Sequence, residues 1–140
     1  MSIATKPLQA LFCLSVVLGP LVWAGPITIS EDQVIDFGYT YQGANACDVD
    51  FNNNISGDCL GVGSSGVILI NGDPNTSLIV SVATLGWIGD LKVTPEMPRK
   101  YPTVLNNQGI LTVPIAAKLQ MRGSPGGVFT IQYAITVNYQ

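Results

Sequence analysis

The side chains that most often perform chemistry in proteins are scarce in this chain. Its 140 residues include no histidine, so the commonest general base and metal ligand at neutral pH is missing. Ser64 and Ser65 lie in the segment GVGSSG, but a serine hydroxyl needs a neighbouring base to become a nucleophile, and the sequence offers no histidine or well-placed lysine. We therefore predict that the protein is not an enzyme and that it needs no cofactor.

Oxygen-bearing side chains alternate at Asp48, Asp50 and Asn52 in the segment DVDFNNNISGD. The first ligands of an EF-hand calcium loop alternate in the same way. That loop also requires glycine at its sixth position and glutamate at its twelfth, where this chain has Asn53 and Cys59. We predict a solvated loop tip and no metal site here, with a weak calcium site at the three alternating residues as the alternative.

The N-terminus has the features of a secretory signal peptide. Lys6 supplies positive charge, the run LQALFCLSVVLGPLVWA supplies an apolar stretch, and Val22 and Ala24 present modest or small side chains where a signal peptidase reads them. We predict that residues 1 to 24 are a signal peptide, cleaved between Ala24 and Gly25. A transmembrane anchor is the alternative, but the apolar run is shorter than the ~20 residues that cross a bilayer.

The remaining residues, 25 to 140, have the length of one domain. All nine acidic residues and five of the six basic ones lie in this part, so its formal charge is −4. That balance argues against a nucleic-acid partner, because phosphates attract a basic surface. It contains no further apolar run long enough to be a transmembrane segment.

Two cysteines remain after the predicted cleavage, Cys47 and Cys59. An even pair of cysteines in an exported chain is most simply explained by one disulfide bond. A redox or metal site is the alternative, but the pair has neither the CxxC spacing nor a histidine partner. We predict a disulfide between Cys47 and Cys59.

Apolar residues after residue 24 recur with a period of two, which indicates β-strands. In the last segment the large apolar side chains share one face, which we expect to be buried: Phe129, Ile131, Tyr133, Ile135, Val137 and Tyr139. The segment 110 to 121 repeats this pattern, and Pro114 predicts that its strand lies at a sheet edge or is bulged. The turn residues RGSPGG between the two segments predict a long hairpin.

Further strands are predicted over residues 67 to 70, 78 to 84 and 91 to 94, and from Ile35 to Tyr41. Residues 72 to 75, GDPN, predict a turn. About seven short strands separated by glycine, proline and asparagine clusters indicate an all-β fold, an antiparallel immunoglobulin-like β-sandwich.

The C-terminal segment resembles that of fimbrial subunits assembled by the bacterial chaperone-usher route. Gly127 is fourteenth from the end, Tyr139 is the penultimate residue, and the apolar alternation runs between them. The same segment, together with Phe37-Gly38, is also similar to an uncharacterised family of exported bacterial β-sandwich domains. The predicted signal peptide, single disulfide and strand pattern agree with the resemblance to fimbrial subunits.

The resemblance implies a structural subunit of a bacterial surface fimbria that contributes to adhesion and reaches the cell surface through the periplasm. Such subunits lack their seventh strand, and the groove that this leaves is filled first by a periplasmic chaperone and then by another fimbrial subunit, with an outer-membrane usher guiding assembly. It implies that the strand from Gly127 to Tyr139 contacts the chaperone or subunit. Ile27 and Ile29 would belong to the arm that the chain donates to its neighbour.

A second hypothesis is a self-contained secreted or periplasmic β-sandwich that binds a surface glycan or protein. Trp87 and Tyr101, which lie between predicted strands, would be its natural contact residues, unless they fill the core. The two hypotheses differ in whether the seventh strand comes from the chain itself or from a partner.

Overall fold

The computed structural model of the chain describes residues 24–99, 103–123 and 127–140. The predicted signal peptide, apart from Ala24, lies outside the described residues, as does Tyr101. Within these ranges the regular structure consists of strands, and no helix is long and apolar enough to cross a membrane.

In the described residues ten strands follow one another along the chain: β1 (Thr28–Gln33), β2 (Tyr39–Thr40), β3 (Ala46–Val49), β4 (Ile55–Gly57), β5 (Cys59–Leu60), β6 (Gly66–Asn71), β7 (Leu78–Val82), β8 (Leu91–Glu96), β9 (Ile110–Met121) and β10 (Ile135–Tyr139). Every pairing between these strands is antiparallel, which confirms the predicted all-β antiparallel class. The large sheet has the order β1-β6-β9-β3-β4, with β8 also paired to β9. Two small sheets, β10-β7 and β2-β5, complete the arrangement.

The long strand β9 is the centre of the large sheet. Its alternate apolar side chains are buried as predicted: Leu111, Val113, Ile115, Ala117, Leu119 and Met121. The expectation from Pro114 is wrong for the strand as a whole, because β6 pairs with residues 110–115 and both β3 and β8 pair with the C-terminal half. At Pro114 itself, β6 is the one described strand that pairs with β9, because β3 and β8 pair only with residues 116–121. Among the described strands, none on the opposite side of β9 therefore needs a hydrogen bond from the N–H that proline lacks.

The core has two buried clusters. The first surrounds the disulfide and includes Cys47, Cys59, Leu91, Val93, Ala117, Leu119 and Met121. The second includes Ile68, Ile70, Leu78, Leu105, Val113 and Ile115. Val80 and Val82 of β7 and Ile135 and Val137 of β10 pack against the second cluster, so the β7-β10 sheet forms a layer over β6 and β9.

The last strand differs from the prediction in length and partner. β10 starts only at Ile135, and it pairs with β7 rather than with β9. The predicted hairpin is therefore wrong. A hairpin would need a free edge at the C-terminal end of β9, where β3 and β8 already occupy both sides. The predicted strand from Ile35 to Tyr41 is likewise reduced to a single Asp36 to Ser64 bridge and the short β2.

Candidate functional site

A groove with a volume of about 770 Å³ lies between the β1 region and the segment that precedes β10, and we call it the C-terminal groove. One wall is the segment that precedes β10 and the first residue of that strand: Phe129, Thr130, Ile131, Gln132, Tyr133 and Ile135. The other wall is formed by β1 and the chain after it: Ile29, Glu31, Val34, Ile35 and Phe37. Ile68 of β6 and Val93 of β8 also line the groove. Most of these side chains are apolar, so the groove is suited to apolar side chains of a ligand.

The alternation that the sequence shows in this segment is present in the burial of its side chains. From Ile131 to Tyr139 each odd-numbered residue is half-buried and each even-numbered residue is exposed. Phe129 is 52% exposed, so the predicted burial of this face is only partial. By contrast, Ile70 and Ile115 in the core beneath are completely buried. The odd-numbered face is thus covered on its core side and open toward the groove.

The backbone of Val128 to Tyr133 belongs to no sheet in the described residues. Its neighbour β7 ends at Val82, and the last bond between the two segments is donated by the Ala83 N–H to the Ala134 carbonyl, at 2.9 Å. Among the described residues, no backbone group forms a hydrogen bond with the backbone of residues 128 to 133. Unpaired backbone groups beside an apolar groove are a template on which a further strand can pair.

Among the described residues, one side-chain hydrogen bond joins the two walls of the groove. The Tyr133 hydroxyl donates to Glu31 Oε1 at 3.3 Å. Burial of the phenol, followed by the nearby Glu31 charge, raises the pKa of Tyr133 to about 12. Gly66 allows this approach, because a Cβ atom there would lie 2.9 Å from Ile35 Cγ1 and 3.1 Å from the Tyr133 hydroxyl.

The far end of β10 is tied to the start of the described chain. The Tyr139 hydroxyl donates to the Gly25 carbonyl at 3.0 Å and accepts a hydrogen bond from the Asp73 N–H at 3.0 Å. The Gly25 nitrogen donates to Asp73 Oδ2 at 2.7 Å. The penultimate aromatic residue therefore has a definite structural role, which its place in the alternation alone does not reveal.

Of the two residues proposed for a donor arm, Ile29 lies in the chain's own large sheet and Ile27 directly precedes it. Ile29 in β1 pairs with Ile70 of β6 and is 44% exposed, and Ile27 packs against the second core cluster. Five of the six side chains of β1 are exposed, so β1 is held mainly by its backbone ladder with β6. Gly127 has a φ of 108°, a conformation that glycine adopts without the steric cost of a side chain.

Cys47 and Cys59 form the predicted disulfide, with their Cα atoms 5.4 Å apart. Two of the possible calcium ligands, Asp48 and Asp50, have defined positions in the loop that it closes. Asp48 lies within β3, where its register partner is Lys118 of β9. Asp50 accepts hydrogen bonds from the backbone of Asn52 and from the backbone and side chain of Asn54.

The Asn54 side-chain bond is the largest cause that holds the pKa of Asp50 below its ordinary value. Its carboxylate is therefore satisfied as the acceptor of a tight turn. Among the described residues, no group of three or more Asp, Glu, Cys or His side chains is arranged to hold a metal ion.

Trp87, the described member of the proposed pair of contact aromatics, is 36% exposed. The Arg122 guanidinium lies over its ring, 3.6 Å from the ring centroid, in a cation-π contact. This contact covers one face of the ring and leaves part of the indole accessible.

Sequence reasoning missed three residues that shape these sites. The sequence pattern assigned no site to Glu31, Asp73 or Val93. The nearest signal was the turn predicted at residues 72 to 75, which places Asp73 at a tight reversal of the chain. Comparisons of the chain with protein-family models, with curated proteins and with solved structures found no match.

Proposed function

We propose that the protein is a structural subunit of a bacterial surface fimbria in which the C-terminal groove receives a β-strand from another chain. The observation that carries this proposal is the backbone of Val128 to Tyr133, which lies along one wall of an apolar groove and has no backbone hydrogen-bond partner among the described residues. The partners would be a periplasmic chaperone, an outer-membrane usher and further fimbrial subunits, and the role would be structural and adhesive.

The physical basis is β-augmentation. An added strand would pair its main chain with the free backbone of residues 128 to 133, and its alternate side chains would enter the groove. The volume of about 770 Å³ would also suit a small ligand. An unpaired backbone edge favours an extended peptide, because a small molecule would leave most of its N–H and C=O groups unmatched.

The exposed apolar side chains at this edge also favour an extended peptide over a small molecule. Val128 is 98% exposed and Phe129 is 52% exposed, although both are large apolar side chains. Removing their apolar surface from water would be favourable by about 25 cal/mol for each Å². An arriving strand would supply that burial together with backbone pairing.

The N-terminal arm that contains Ile27 and Ile29 is our proposed donor. In the folded chain it pairs with β6 at five positions. Few of its side chains are buried there, so transfer of the arm to a neighbouring subunit would break mainly backbone bonds, which the acceptor's edge would replace. Such an exchange conserves the number of strand pairs while it links two chains.

A self-contained binding module is the second candidate function. The cis pairing of β1 with β6 favours it, since the chain closes that sheet edge with its own arm. The partly accessible Trp87 beneath Arg122 offers a surface for a glycan or protein. The presence or absence of strand capture at the C-terminal groove distinguishes the two candidates.

Thermal unfolding of the chaperone-free mature protein, with and without a synthetic peptide of residues 25 to 36, tests the proposal. A ligand that binds only the folded state stabilises it by about 2.7 kcal/mol at 100 times its Kd, so we expect a rise of several degrees in Tm. Phe129→Ser should abolish the rise. Phe51→Ser is the matched control, because Phe51 is 37% exposed and does not line the groove.

Two results would count against the fimbrial proposal. One is a protein that unfolds reversibly with a Tm indifferent to the peptide, which would favour the self-contained module. The other is a peptide-dependent rise that survives in the Phe129→Ser protein, because the peptide would then bind elsewhere on the molecule.

A further inference from the structure

Gly25 occupies a polar site formed by Asp73 and Tyr139. Its nitrogen donates to Asp73 Oδ2 at 2.7 Å, and its carbonyl accepts from the Tyr139 hydroxyl at 3.0 Å. The Asp73 N–H donates in turn to that same hydroxyl at 3.0 Å. Gly25, Asp73 and Tyr139, which are far apart in sequence, are thus joined in a closed ring of three hydrogen bonds.

Two glycines make room for this ring. A Cβ atom on Gly25 would lie 2.5 Å from Asp73 Oδ1, so a larger residue would displace the carboxylate from its hydrogen bond. A Cβ atom on Gly72 would lie 2.7 Å from the Tyr139 hydroxyl and 3.0 Å from Leu105 Cδ1. The backbone and the two polar side chains therefore approach as closely as they do only because these positions lack side chains.

A carboxylate at 2.7 Å is a stronger partner for an ammonium group than for a peptide N–H, because the ammonium adds the attraction of a full opposite charge to the hydrogen bond. We propose that Asp73, Gly72 and Tyr139 form a binding site for a free amino group at Gly25, which arises when the bond between Ala24 and Gly25 is hydrolysed. Ala24 is exposed, so the bond lies at the surface.

The chemistry of this step is a simple hydrolysis. An endopeptidase adds one water molecule across the peptide bond, the C–N bond breaks, and Ala24 leaves as a carboxylate. The Gly25 nitrogen keeps its hydrogen and takes up two more from the water, which makes it an ammonium at neutral pH. The bond to Asp73 then becomes an ion pair that fixes the start of the arm. The proposed amino-group site belongs to the chain with its arm paired to β6, and it does not depend on the proposed fimbrial function.

A double-mutant cycle tests the site on protein exported with its own leader. One protein is processed to begin at Gly25. The other carries one serine inserted between Ala24 and Gly25, which moves the ammonium one residue away and leaves an ordinary N–H at Gly25. Each is prepared with Asp73 and with Asp73→Asn, and intact mass establishes the first residue of all four proteins.

We expect the insertion to lower Tm by about 2–5 °C when Asp73 is present and to have almost no effect in the Asp73→Asn background. A second readout is the pKa of the α-amino group, followed by NMR. Its ordinary value is about 7.7–8.0, and a neighbouring carboxylate raises it, so Asp73→Asn should return it to that range. Equal Tm shifts in both backgrounds, an amino pKa that does not respond to Asp73, or a mature chain that starts elsewhere than Gly25 would each overturn the proposal.

Discussion

Removal of the Tyr139 hydroxyl should destabilise the protein, although the ring would stay in place. In Tyr139→Phe two hydrogen bonds are lost, one to the Gly25 carbonyl and one from the Asp73 N–H, both of 3.0 Å. Each such bond contributes about 0.5–1.5 kcal/mol net, so the free energy of unfolding should fall by about 1–3 kcal/mol. Tyr139→Ser also removes a half-buried ring that packs on the second core cluster, and we expect a further loss of about 2–4 kcal/mol.

Urea unfolding followed by circular dichroism measures both losses, because the midpoint shifts while the slope stays constant. Tyr39→Phe is the matched control, since Tyr39 is 77% exposed and should tolerate the change without a measurable shift. A Tyr139→Phe protein as stable as the wild type would refute the reasoning. It would show that the two bonds exchange with water at no net cost.

Three other perturbations have definite expected outcomes. Replacement of Cys47 and Cys59 together by alanine should lower the free energy of unfolding by up to about 3 kcal/mol in urea, the chain-entropy value for a loop of this size, while circular dichroism of the folded protein stays the same. The Tyr133 phenol should titrate with a pKa of about 12 in a spectrophotometric titration. The pKa of Tyr133 is higher in the folded than in the unfolded protein, so the contribution of this phenol to stability is complete below about pH 10 and is lost as the pH rises toward 12. Tyr133→Phe should remove this loss of stability at high pH. Gly66→Ala should cost about 1–3 kcal/mol in the same urea assay, because the new methyl group would press on Ile35 Cγ1.

The parts of the fold that sequence reasoning predicted depend on local pattern. The period-two alternation of β9 predicts which of its side chains are buried, since successive side chains of a strand point to opposite faces. The pairing of Cys47 with Cys59 follows from their being the two cysteines left after the predicted cleavage. Such features need no knowledge of which strands are neighbours.

The parts that sequence reasoning missed depend on strand neighbours. Alternation gives the last segment a buried face but names no partner, and the C-terminal end of β9 was already paired on both sides. Residues 128 to 133 have strand-like alternation, yet no strand among the described residues forms backbone hydrogen bonds with them, since β7 ends at Val82. The Asp73 site was missed for the same reason, since it joins residues 48 and 66 positions apart in the chain.

Backbone hydrogen exchange of residues 128 to 133 is the most direct test of an open, strand-accepting groove. In the free mature protein these amides should exchange rapidly, because no described backbone group pairs with them, whereas those of β6 and β9 should be protected. Saturation with the peptide of residues 25 to 36 should protect alternate amides of this segment, as antiparallel or parallel pairing along one edge requires. Protection of the whole segment in the free protein, or no change with the peptide at saturation, would contradict the account.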